Sequence, residues 1–107
     1  MPVVIDHLAF PARGTEAEYE EVLKLARIPN VYMKISSLSE KDKPTVRRLY
    51  DAYGADRLIW GGYGSSTKAF ERALALCETV FDYASEEEKT KIRGTNAMKV
   101  YGFAAIR

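Results

Sequence analysis

His7 is the only histidine in the chain, and it follows Asp6 at the end of a short β-branched run, Val3-Val4-Ile5. A neutral imidazole can ligate a metal or relay a proton near neutral pH. Asp6 is suited to orient a loop or to pair with a base. Lys34 and Ser36 close a second apolar run, Val31 to Ser36, where an ammonium can hold an anionic substrate group. A third run, Leu58-Ile59-Trp60, breaks into Gly61-Gly62-Tyr63-Gly64 before Ser65-Ser66. Glycines ahead of a helix start let a carboxylate or phosphate reach backbone amides, although no dinucleotide or Walker spacing is present. Each feature also has a plainer reading. A histidine can be hydrogen-bonded at a strand end without chemistry. A lysine can pack its stem at a rim and keep its ammonium in water. A glycine run can be only a tight turn.

The elements that position these residues follow from periodicity. Val3 to Ile5, within Pro2 to Leu8, reads as a buried strand ended by Asp6-His7. Thr15 with Glu18 fits a capping box, and Tyr19, Val22, Leu23 and Ala26 recur at helical spacing, so a helix is expected over 16–27. Pro29-Asn30 ends it, and residues 31–36 form the second strand. A polar loop runs from Ser37 to Lys43. Pro44 opens a helix whose face is Val46, Leu49, Tyr50 and Tyr53, with Gly54 as its stop. The third strand starts at Arg57. The helix that follows, Thr67 to Phe81, has an apolar arc wide enough to predict burial on more than one side. Ser85 with Glu88 caps a short helix ending at Gly94, and a last short helix spans Asn96–Tyr101, with Val100, Tyr101 and Phe103 packing inward. The order is βα, βα, βα, α, α, with each βα step of roughly 25–30 residues, as parallel crossover units require.

At 107 residues, 47% hydrophobic, the chain is one domain with enough apolar surface for a packed core. Its charge of +1 has both signs interspersed and no basic stripe, which argues against nucleic acid. No apolar run approaches the roughly 20 residues of a membrane span. The start shows no basic segment followed by an apolar one, so a soluble cytoplasmic protein is expected. The single cysteine, Cys77, forms no internal disulfide or thiolate cluster and reads as a small core hydrophobe.

Four segments occur in an informative order: Val-Val-Ile-Asp-His-Leu at 3–8, Pro-Asn-Val-Tyr-Met-Lys-Ile-Ser at 29–36, Gly-Ala-Asp-Arg-Leu-Ile-Trp-Gly at 54–61, and Gly-Thr-Asn-Ala-Met-Lys-Val-Tyr-Gly-Phe at 94–103. Together they resemble the C-terminal part of the amidohydrolase-2 family, metal-dependent TIM-barrel hydrolases, lactonases and decarboxylases. The resemblance implies that residues 1–107 are a single domain like the C-terminal fragment of such a barrel, with 3–8, 31–36 and 57–61 as strands six, seven and eight. It places His7 at the family's strand-six histidine, as the catalytic residue and the metal ligand if there is one. Lys34 and Tyr63 are then the substrate contacts, and a divalent metal such as zinc is the implied cofactor. Two departures stand against that chemistry. Tyr63 occupies the position of the family's strand-eight Asp, and a phenol, with an unperturbed pKa of about 10, is a poor substitute for a carboxylate that must be ionised at neutral pH. The family's other histidines have no counterpart here, and one imidazole does not make the three-ligand open site of catalytic zinc.

The expected architecture is therefore α/β: a partial TIM barrel with a three-stranded parallel sheet, flanking helices and two short C-terminal helices. Three strands cannot close a barrel, which takes roughly eight. The inner face would expose valines, isoleucine and Trp60, and both outer strands would keep unpaired amides. A homo-oligomer or a complementary barrel chain is the expected cover. The primary reading is an amidohydrolase-related part-barrel without independent catalysis, stabilised by self-association. The alternative is a metal-dependent hydrolase of amide, ester or lactone bonds whose site another chain completes. A third reading is a small-molecule binding module built on the glycine loop at 61–64.

Overall fold

The structure, a computed structural model, describes residues 2–9, 14–36, 39–61 and 66–101. Three strands, β1 (Val3–Ile5), β2 (Val31–Ile35) and β3 (Leu58–Trp60), form one sheet in sequence order. Both pairings are parallel, with Val3 opposite Val31 and Met33 opposite Leu58. Each crossover carries a helix, α1 (Glu16–Lys24) and then α2 (Lys43–Tyr53). Parallel crossovers are almost always right-handed, so strands added in one direction place their helices on one face. That is the winding of a barrel wall rather than of a doubly wound sheet.

Register decides which side chains meet those helices. Val31, Met33 and Ile35 of β2 and Leu58 of β3 enter one cluster with Val46, Leu49, Tyr53, Cys77, Val80 and Phe81. The alternate residues, Val4, Tyr32, Lys34 and Ile59, therefore face the other side, the barrel interior. Trp60 lies opposite Ile35 and so belongs to the helix face, where it is half-buried and meets Phe70 edge-on at 5.6 Å. The expectation that Trp60 would be exposed toward the barrel interior is corrected by that register.

Local signals set most helix starts. Thr15 Oγ1 accepts from Glu18 N at 3.1 Å while Glu18 accepts from Thr15 N at 2.9 Å, and Ser85 and Glu88 repeat the exchange at the start of α4 (Glu86–Thr90). Ser66 caps α3 (Thr67–Val80) through Ala69 N. The region 16–27 tightens to a 3-10 turn after Lys24, and Ala55–Arg57 is likewise a 3-10 turn, so the third strand begins at Leu58. Burial also lifts the Cys77 thiol to about 11, as suits a core hydrophobe.

Other expectations fail for tertiary reasons. α3 buries only Cys77 and Val80, and Phe70 stands exposed. Besides α2, it meets the 91–95 turn and α4 through Glu78, which pairs with Lys89 and Arg93, so part of its surface is bridged by charge instead of buried. Gly94 does not end a helix: α4 runs through a π-helical turn, Lys91–Thr95, into α5 (Asn96–Tyr101). Ile92 and Asn96 are buried, and the Asn96 amide donates to Ala55 O at 2.6 Å and Leu58 O at 2.8 Å. With Asn96 turned inward, Tyr101 falls on the outer face and is 47% exposed, not packed inward. Phe103 lies outside the described residues.

The two sheet edges differ. Val3 N donates to Asn30 O and Gly61 N to Ile35 O, so Val3 and Gly61 turn their amides inward. Successive residues alternate, hence Val4 turns its amide outward from β1, and Leu58 and Trp60 turn theirs outward from β3. Asn96 occupies the Leu58 carbonyl.

Candidate functional site

The carboxyl ends of the three strands bring Asp6, His7, Lys34, Ser36 and Gly61 together. The chain leaves β1 through a turn in which His7, Leu8 and Ala9 have φ of 46°, 58° and 61°. Consecutive non-glycine residues in the left-handed region cost roughly 1–2 kcal/mol each. Such strain persists only where surroundings over-determine it. Here Leu8 is buried, its carbonyl accepts from Tyr19 Oη at 2.7 Å, and Ala9 N donates to Asp6 O at 2.8 Å. The turn swings the imidazole over β2, where Nδ1 lies 2.5 Å from Ser36 Oγ.

Ser36 is 2% exposed. On the other side of the ring, Nε2 stands 3.9 Å from Asp6 Oδ2, and Asp6 Oδ1 lies 3.6 Å from Lys34 Nζ. Asp6 thus faces two bases, the role its position suggested. A Cβ on Gly61 would lie 2.6 Å from Lys34 Cε and 3.1 Å from Ser36 Cβ. The glycine lets the lysine stem lie across β3 and its ammonium reach β1. Sequence reasoning gave Gly61 a turn role and missed this close approach, which depends on the register of β3 against β2.

The predicted residues divide accordingly. His7 and Lys34 converge on Asp6. Tyr63, Gly62 and Gly64 lie outside the described residues. Among the described residues no group of three or more His, Cys, Asp or Glu side chains is arranged to hold a metal ion. The donor set present, one imidazole beside one carboxylate already facing a lysine, does not fit a catalytic zinc by itself. No step is derived through a metal. Among the described residues, no helix is long and apolar enough to cross a membrane.

A second group was missed by sequence reading. Arg57 donates to Ala26 O at 2.7 Å, Ile28 O at 2.9 Å and Tyr53 O at 3.2 Å, tying together the chain that enters β2 and β3. It lies at the amino ends of the strands, away from His7. In parallel barrels that end serves stability.

The pattern of the family described as amidohydrolase matches residues 1–103. An L-fucono-1,5-lactonase from Burkholderia ambifaria is 32% identical over 118 aligned positions, covering 92% of this chain and 41% of that protein. A crystal structure of an amidohydrolase from Burkholderia multivorans with bound zinc superposes with a TM-score of 0.79 at 21% identity, over 96% of this chain and 44% of that one. Amidohydrolase 2 from Bifidobacterium longum subsp. infantis gives 0.73 at 23% identity, over 97% of this chain and 41% of that one. The chain therefore spans less than half the length of these relatives, and the likeness to the solved structures is one of fold.

Proposed function

The chain belongs to the amidohydrolase family, and from that premise we propose that it is the strand-six-to-eight share of a hydrolase barrel, without turnover of its own. Its reaction, once the barrel is completed, is hydrolysis of a lactone or related ester bond. The observation that carries this reading is the gathering of Asp6, His7, Lys34 and Ser36 at the carboxyl ends of a sheet that, among the described residues, has three strands. Active sites of parallel barrels lie at that end. Lys34 holds an anionic group of the substrate, and His7 moves a proton at the oxygen of the bond that breaks.

The lactonase named above suggests a sugar lactone as the first compound to assay. The purified chain is expected to leave an aldono-1,5-lactone at its spontaneous rate of hydrolysis. Mixed with a separate chain carrying the first five strands of that lactonase, it is expected to accelerate hydrolysis, and His7→Ala to abolish the gain. Turnover by the chain alone would overturn the proposal.

Self-association is the second part of the reading, favoured by the outward amide of Val4 and the 50% exposure of Val3 on β1. Sedimentation at micromolar concentration is expected to show a dimer or larger species. A clean monomer that binds no apolar dye would count against it. A cytoplasmic location belongs to the same proposal and is tested by cell fractionation.

A further inference from the structure

We infer that Ser36 is a positioning residue that, with Asp6, holds His7 as its Nε2–H tautomer, so that the ring presents a proton donor to a substrate oxygen. The inference deepens the proposed hydrolytic site, resting on that reading for the use of the proton but not for its location.

The argument starts from the hydroxyl. Ser36 is buried, and its hydrogen-bond partner in the structure is His7 Nδ1 at 2.5 Å. A buried hydroxyl left without an acceptor costs about 1–3 kcal/mol. If Nδ1–H donated to Oγ, the serine proton would need a second acceptor, and Ser36 makes no other hydrogen bond among the described residues. If Oγ–H donates to Nδ1, that one contact satisfies the serine. The carboxylate argues the same way. Asp6 Oδ2 lies 3.9 Å from Nε2, a position that favours the positive end of an N–H over a lone pair. Ser36 and Asp6 each favour the ring proton on Nε2. The strained turn at His7, Leu8 and Ala9 supports a positioning role, since it holds the ring over β2 at a backbone cost.

An imidazole held this way donates toward a carbonyl or leaving oxygen, and its Nε2 lone pair is not offered to a metal. In hydrolysis, water adds to the lactone carbonyl, the ring C–O bond breaks, and the departing oxygen takes the proton from Nε2. The proton lost by the water restores the imidazole.

The single histidine makes the test direct. The spectrum is recorded at pH 8. A long-range proton–nitrogen correlation on the labelled chain is expected to show an unprotonated Nδ1 and a protonated Nε2. Ser36→Ala is expected to move both ring nitrogens toward the averaged shifts of a tautomer mixture, and Ser36→Thr, which keeps the hydroxyl, to restore them. Circular dichroism checks that each variant folds. If Ser36→Ala does not fold, Asp6→Asn serves, with an expected partial move in the same sense. A protonated Nδ1 in the parent chain, or ring nitrogens unmoved in folded Ser36→Ala or Asp6→Asn, would overturn the inference. The lactone assay fails or succeeds independently, so loss of the proposed function and loss of the tautomer are told apart.

Discussion

Gly54 and Gly94 are both followed or surrounded by helix, yet they answer to different physics. Gly54 has φ +78°, and a Cβ there would meet nothing within 4 Å. The cost of a side chain is therefore backbone strain alone. With ψ 160° this is a region open almost only to glycine, and Gly54→Ala is expected to lose roughly 1–3 kcal/mol of stability in urea unfolding. Gly94 sits inside the π-helical turn, and a Cβ there also meets nothing. Gly94→Ala is expected to gain roughly 0.5–1 kcal/mol, because alanine loses less backbone entropy in a helix. Opposite signs from one substitution type check both assignments. At this scale the sequence revealed His7 and Lys34 as chemical candidates. It did not reveal that Ser36 grips the imidazole or that Gly61 makes room for the lysine, because both depend on strands far apart in the chain.

Between elements, two contacts set the stability that can be measured. Arg57 bonds four backbone carbonyls, those of Ala26, Ile28, Val31 and Tyr53. Arg57→Ala is expected to cost about 2–4 kcal/mol, read from the urea midpoint, since hydrogen bonds from a charged donor are worth roughly 1.5–3 kcal/mol and part is recovered by water. Glu88 accepts from Ser85 N at 3.1 Å and from Tyr50 Oη at 2.8 Å. These bonds, the Ser85 amide foremost, hold its carboxyl below the ordinary 4.5. A depressed carboxyl stabilises the fold above its unfolded value and loses that contribution as pH falls through the folded value. Acidification from pH 6 to pH 3 is therefore expected to weaken the protein. Glu88→Gln, which keeps a capping side chain, is expected to reduce that drop in comparative urea melts. The capping boxes were legible because all their atoms lie within four residues. Continuation past Gly94 was not, because the docking of Ile92 and Asn96 against the β3 region drives it.

For the molecule as a whole, the unequal edges of the sheet matter most. β3 has Asn96 at its Leu58 carbonyl, whereas the outward amide of Val4 on β1 belongs to an outer strand. Proline at an edge position removes an outward N–H without breaking the ladder. Val4→Pro is expected to leave circular dichroism nearly unchanged and to shift sedimentation toward monomer. Unchanged association would move the contact away from β1. The α/β class and the parallel βα units were legible in the sequence, since hydrophobic period, caps and turn residues act over a few positions, and the strand order followed from the family resemblance. Tertiary structure decided the turn of Trp60 to the helix face, the thin burial of α3 and the grip of Ser36 on His7. Those depend on register and on which neighbours are present, and no local stretch of residues encodes either.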